Sequence, residues 1–253
     1  MALPAVSGRG AVLISESHEG AEKARRSDDR DRAAEPTALL LRNAHVTILG
    51  VGGVGGVLAA RLAARGVRSL HLIDGGRVTA SDMGDRDIFE ASDLGKMKTH
   101  VMLDRLRPLN SWCDISVLTG DIDCVFQISD VLRATDLFVT TAPMDDLMPY
   151  WIAAESSYTG TPWIDCTVDG PLITCVTYEP GPHSCRSCLT DSIRERVESP
   201  RSRAAPSWPA TQLAGTLASY EVSQALGRAS VHRGEPSLRH LTLDYAAAGG
   251  LHA

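Results

Sequence analysis

The residues best suited to chemistry begin with Gly50-Val-Gly-Gly-Val-Gly55. This G-x-G-x-x-G run lies between a β-branched stretch and a helix-like stretch of small residues, the context such a run requires. Glycine permits a tight turn and close backbone approach, and free N–H groups at a helix start attract phosphate oxygens. Asp74 stands 24 positions after Gly50 (74 − 50), where a carboxylate can accept hydrogen bonds from ribose hydroxyls. A glycine turn that only packs a helix onto a sheet is the plainer alternative. The coincidence of strand, turn, helix and acidic residue favours nucleotide binding. Gly50, Gly52, Gly53, Gly55 and Asp74 are therefore the expected contacts, although this unit alone does not say which nucleotide.

The elements that must position these residues follow from the pattern of apolar side chains. His45–Leu49 reads as a buried strand and Val57–Ala64 as a helix that Gly66 stops. Strand-like runs recur at Ser69–Ile73, Ile115–Leu118, Asp136–Thr140 and Pro162–Cys166, with helix-like runs at Lys98–Leu106, Val125–Arg133 and Met148–Tyr158. Such alternation predicts an α/β, Rossmann-like, mainly parallel sheet covered on both faces by helices. After Gly170 the rhythm changes. Leu172–Tyr178 and Leu241–Tyr245 read as late, antiparallel strands, Leu213–Leu226 as a helix, and residues 189–209 as a loop. Residues 1–36 are charged and poor in large apolar side chains, so they read as a flexible N-terminal arm before a domain spanning 37–253.

The stretch after Asp74 narrows the nucleotide. Asp74-Gly-Gly-Arg-Val-Thr-Ala-Ser-Asp-Met-Gly-Asp-Arg-Asp-Ile-Phe89 leads into Asp93-Leu-Gly-Lys-Met-Lys98. Together with Ala214–Glu221 and Leu241–Tyr245, it resembles the ThiF/MoeB-like family of ubiquitin-activating-type adenylating enzymes. The family spacing from the Asn of its Ser-Asn-Leu segment to a later lysine fits Asp82 and Lys98 without a gap. The resemblance implies that the glycine loop, Asp74, Asp82 and Lys98 hold ATP. It also implies that Lys98 and an arginine neutralise charge while a substrate carboxylate attacks the α-phosphate. A solvated lysine like Lys96 is the plainer reading of Lys98. The family arginine falls on Asp85, which leaves Arg86, one position on, as the replacement cation. For the family's magnesium-binding aspartate the chain offers Asp145 and Asp146, about one or two positions later than the resemblance implies, oxygen donors of the kind Mg²⁺ takes. An N-cap followed by an acidic first helical turn is the alternative for that pair.

Cys185-Arg-Ser-Cys188 stands where many family members begin a structural zinc site. Two thiolates fill two of the four positions zinc wants, and His183, His252 or a second subunit would have to supply the rest. A pair retained without metal is the alternative. No cysteine is in a context that marks it as an acyl-accepting nucleophile. The family resemblance further implies a homodimer, with Arg25, Arg26, Arg30 or Arg32 reaching the partner's ATP, and a small carrier protein or peptide C-terminus as the activated group.

Composition sets the outer limits. A formal charge of −6 over 253 residues argues against a general nucleic-acid-binding surface. No apolar run approaches the roughly 20 residues of a membrane-spanning helix, and Met1–Ser7 is a poor signal peptide, so a cytoplasmic protein is expected. The leading expectation is ATP-dependent adenylation of a carboxylate, in sulfur transfer or peptide-derived metabolite biosynthesis. Two rivals fit fewer residues. One is a non-catalytic relative that presents a peptide or carrier to a partner enzyme; the other is an NAD-dependent oxidoreductase resting on Gly50–Gly55 and Asp74 alone.

Overall fold

In the computed structural model, residues 12–16, 39–84, 88–181, 191, 207–231 and 237–244 are described. Four strands bury long uninterrupted or alternating apolar runs: β2 (His45–Leu49), β3 (Ser69–Ile73), β5 (Leu137–Thr140) and β6 (Trp163–Asp169). Every residue of β5 is buried, the signature of a central strand covered on both faces. With β4 (Asp114–Leu118) they form a parallel sheet in the order β6-β5-β2-β3-β4. Between them run α1 (Gly53–Ala64), α2 (Lys98–Leu106), α3 (Val125–Arg133) and α4 (Met148–Thr159). Successive strand residues point to opposite faces, so two cores result. Val46, Ile48, Leu70 and Leu72 pack under α1 and α2, whereas Leu49, Ile73 and Phe138 pack under α3 and α4.

The second half reverses direction. β7 (Leu172–Glu179) pairs antiparallel with β6 and with β8 (Ser237–Asp244), extending the sheet to eight strands. The expected Rossmann-like sheet with late antiparallel strands is therefore present. Before β8 comes α5 (Trp208–Val231), which packs on α1. A Cβ on Gly215 of α5 would lie 2.6 Å from the Val57 Cβ, so only glycine lets the two helices approach so closely. This helix starts within the segment expected to be a loop. Pro209 lies in its first turn, where the missing N–H costs nothing.

One sequence expectation is corrected. The segment read as a flexible arm contains β1 (Val12–Glu16), which pairs antiparallel with β8 from Val12↔Leu243 to Glu16↔Arg239. The run Val12-Leu-Ile is strand-prone, and β8 offers it an open edge; the surrounding charge hid it.

Candidate nucleotide site

The parallel strands end on one side of the sheet, and the glycine loop closes over that edge. Gly50 has φ +92°, and a Cβ there would lie 2.6 Å from the Ala142 nitrogen. A Cβ on Gly55 would collide with the Gly50 carbonyl and approach Thr141 Oγ1 to 2.6 Å. Both positions thus exclude any side chain. Helix α1 begins inside the motif, earlier than its apolar pattern indicates. Gly52 is its N-cap, with no side-chain cap and no acidic residue in the first turn. Its first N–H groups and the positive end of its dipole are left for an anion.

Asp74 organises this loop. Its Oδ2 accepts a hydrogen bond from the Val51 N–H at 2.8 Å, and its Oδ1 accepts one from the Gly76 N–H at 2.7 Å. A carboxylate has about four acceptor positions, so these two bonds leave capacity for ribose hydroxyls. The acidic residue is a structural brace as well as the expected ribose contact.

Lys98 reaches the same place from α2. Its backbone N–H donates to the Gly76 carbonyl at 3.1 Å. A Cβ on Gly52 would lie 3.9 Å from its Nζ, which puts the ammonium beside the N-terminus of α1. The ammonium also lies 5.9 Å from the centroid of the Phe89 ring. Its direct partner is Asp82, at 2.6 Å between Nζ and Oδ1, with side-chain exposures of 18% and 15%. Asp82 is fixed in turn by the Thr79 N–H and hydroxyl, both 2.8 Å from Oδ2. Burial pushes the Asp82 carboxyl up, but the hydrogen bonds from Lys98 and Thr79 outweigh it, and the pKa falls below its ordinary 3.8. The family resemblance placed Asp82 and Lys98 in the site but did not show them bonded. The clue was local: Thr79-x-x-Asp82 has the form of a capping box. Phe89 and Thr141, whose hydroxyl donates to the Gly50 carbonyl at 2.7 Å, carried no comparable signal.

Asp145 bonds to the backbone just ahead of α4, whose N-cap is Leu147. Its Oδ1 accepts from the Leu147 and Met148 N–H groups at 3.0 and 2.7 Å, starting α4. Asp146 is exposed beside it. Among the described residues, neither bonds to Lys98 or Asp82. Asp82, Asp145 and Asp146 are each oxygen donors of the kind Mg²⁺ takes, but the structure does not gather them into one cluster. Arg86, Cys185, Cys188 and the four arginines near the N-terminus lie outside the described residues. No group of three or more potential metal ligands occurs among the described residues. Of the cysteines described, Cys113 is pushed up to about 11 by burial and the neighbouring Asp114. Cys175 is raised by its hydrogen bond with Cys166 and by burial. Neither thiol ionises readily enough to be a ready acyl acceptor. No helix among the described residues is long and apolar enough to cross a membrane.

Comparison with known proteins matches residues 30–248 to the ThiF family. A probable molybdopterin-synthase adenylyltransferase from Gracilaria tenuistipitata var. liui is 25% identical over 118 residues, 47% of this chain and 32% of that protein. A tRNA threonylcarbamoyladenosine dehydratase from Haemophilus influenzae is 32% identical over 99 residues, 39% of this chain and 38% of that protein. The aligned region thus spans about a third of either relative's length. Among solved structures, E. coli MccB with ATP superposes with a TM-score of 0.64 at 23% identity, covering 76% of this chain and 58% of that one. The microcin C7 biosynthetic enzyme MccB in complex with N-formylated MccA gives 0.66 at 23% identity, over 76% and 59%. These structural likenesses establish a shared fold.

Proposed function

The chain belongs to the ThiF family, and on that premise we propose that it is an ATP-dependent adenylyltransferase acting on a carboxylate. The observation that carries this reading is convergence. The uncapped start of α1, the Asp74 brace and the Lys98 ammonium come from distant parts of the sequence and meet at one strand edge. A dinucleotide site needs the first two; a cation at the phosphates suits a triphosphate whose α-phosphorus must accept an anion.

In this proposal a carboxylate oxygen of the substrate forms a bond to the α-phosphorus. The bond from that phosphorus to the bridging oxygen of the β-phosphate breaks, and pyrophosphate leaves with the electron pair. The product is an acyl-adenylate. Lys98 holds negative phosphate oxygens as charge builds up, and the α1 N–H groups orient them. Mg²⁺, when bound, adds positive charge at the triphosphate; Asp145 or Asp146, as the family resemblance implies, would hold it.

The substrate class is the C-terminus of a peptide or small carrier protein, which the likeness to an MccB solved with MccA supports. ATP–pyrophosphate exchange with a panel of peptides and carriers tests this. Exchange that appears only with a C-terminal carboxylate, and vanishes when that carboxylate is amidated, is the expected result. No exchange with any member, despite ATP binding, would leave the second reading. In that reading the chain is a non-catalytic relative that binds ATP and presents a peptide, and the engagement of Asp145 with the backbone at the start of α4 favours it. Binding of NAD but not ATP would overturn both.

The proposal includes a homodimer completed by an N-terminal arginine. Removing residues up to Glu35 would also remove β1, so truncation is a poor test. Replacing Arg25, Arg26, Arg30 and Arg32 by alanine keeps the strand; unchanged exchange in a dimeric variant would exclude that arginine role.

A further inference from the structure

Lys98 is engaged before any phosphate arrives. Its ammonium is 2.6 Å from Asp82 Oδ1, and both side chains are largely shielded from water. The two partners are not equally free to move. Asp82 is pinned at Oδ2 by two hydrogen bonds from Thr79, one from the backbone and one from the hydroxyl. Lys98 is fixed at its backbone, whose N–H donates to the Gly76 carbonyl, while its ammonium has, besides Asp82, the face of the Phe89 ring at 5.9 Å. When the pair opens, the lysine head is the part that swings, and the carboxylate stays.

A triphosphate settling at the start of α1 comes within reach of that ammonium. It must draw Lys98 away from Asp82 or share it. Either way, a shielded carboxylate is left facing a polyanion with its own counter-charge weakened, an arrangement that costs far more there than in water. A divalent cation arriving with the nucleotide removes the conflict, because a hard cation takes oxygen from both carboxylate and phosphate. The neutral Asn at the corresponding family position imposes no such condition.

We propose that Asp82 is a specificity residue that makes triphosphate entry conditional on an accompanying divalent cation. It ties up Lys98 in the empty site and rejects metal-free nucleotide. This rests on the adenylation reading of the same site. The consequence is a chain that ignores uncomplexed ATP and free pyrophosphate, although its glycine loop alone would attract both.

Calorimetric ATP affinity of the parent and of Asp82→Asn, each with magnesium and with EDTA, tests the proposal. The parent should bind ATP much more weakly in EDTA. Asp82→Asn should gain about 10- to 100-fold in EDTA, the worth of one charge-assisted contact, but not in magnesium, where it has lost the carboxylate that meets the cation, so the two affinities draw together. Asp82→Glu, which keeps the charge, should retain the parent's magnesium dependence. Should Asp82→Asn fail to fold, as judged by its melting curve, Asp82→Ser replaces it with the same expectation. A magnesium dependence that survives loss of the charge overturns the proposal. So does its loss in both Asn and Glu variants, which would point to geometry rather than charge. Absence of ATP binding by the parent in either condition overturns the adenylation reading, and this one with it.

Discussion

Two ion pairs in this chain have similar chemistry and opposite surroundings. Lys98–Asp82 stands at the ends of the parallel strands, beside an uncapped helix start. Glu221–Arg239 lies between α5 and the antiparallel strands, at 3.2 Å, with the Glu221 side chain only 4% exposed. Thr177 adds a hydroxyl bond to the same Glu221 oxygen at 3.0 Å. Nearby, Arg228 Nε contacts both oxygens of Glu179 at 2.9 and 3.0 Å. Glu221 and Arg228 lie past the first turn of α5, so these pairs are not set at a helix start. The lysine pair is set at one, and its long flexible stem can reach an anion there. An ion pair is a lock or a latch according to what its cation could touch next.

The widest separation between the two should appear in catalysis. Lys98→Ala should lower pyrophosphate exchange about 100- to 1000-fold, the loss typical of a group that stabilises transition-state charge. Its effect on melting should be small, no more than about 1–2 kcal/mol, because Thr79 continues to hold Asp82. Steady-state exchange alongside thermal unfolding measures both. A large loss of stability with proportionate loss of exchange would make Lys98 a structural residue and erase the contrast.

Glu221→Ala should do the reverse. It strands Arg239 under α5 and should destabilise the fold by about 3 kcal/mol, seen as a lower midpoint in urea unfolding. Per folded molecule, ATP affinity should stay within about twofold, since sites with no shared partners act independently. Loss of ATP affinity in the folded protein would mean the antiparallel half tunes the nucleotide end.

Asp74→Ala probes the border between the two roles. Removing the acceptor of the Val51 and Gly76 N–H groups should cost about 2 kcal/mol and weaken ATP binding as the loop loosens. Asp74→Asn keeps one good acceptor and should restore part of the stability. If nucleotide binding falls equally in both variants while stability differs, the ribose contact outweighs the brace.

The same contrast explains what could be read from sequence. The parallel half was legible because a strand buried on both faces, such as Leu137–Thr140, is an apolar run that water would not tolerate elsewhere. The glycine loop was legible because its backbone conformation and close contacts admit no substitute at Gly50 or Gly55. The antiparallel half was legible in β7 and the end of β8, but not at the start of β8, where Leu238 is followed by Arg239 and His240, nor in β1, a short run amid charge. Within the site, position was legible and partnership was not. The family resemblance implied that Asp82 and Lys98 lie near phosphate, yet their bond depends on a turn that Thr79 folds. For Asp145, metal ligand and acceptor for the backbone at a helix start call for the same residue type, and its two N–H donors settle the second role alone.

The smallest expected effect is the dependence of the Lys98–Asp82 pair on acid. Although burial opposes ionisation of Asp82, the hydrogen bonds from Lys98 and Thr79 lower its folded-state pKa below 3.8. A carboxyl whose pKa is depressed on folding contributes stability that is fully present above its unfolded value and is lost as pH falls through the folded one. The parent should therefore exceed Asp82→Asn in stability at neutral pH, and the gap should close as pH drops below about 3.8. Asp93 behaves alike: burial raises its pKa, while bonds from the Glu90 N–H, Lys96 and Arg105 lower it further. It must accordingly be kept intact in every variant compared. Lys98→Met removes the strongest of the bonds that hold Asp82 ionised, so its acid limb should begin nearer the ordinary value than the parent's. Melting temperatures of the three proteins, followed from neutral pH down to the acid transition, decide the matter. A parent-to-Asn gap that stays constant through the acid range would mean that the charge on Asp82 contributes nothing to folding. The latch would then store no energy for an incoming nucleotide to release.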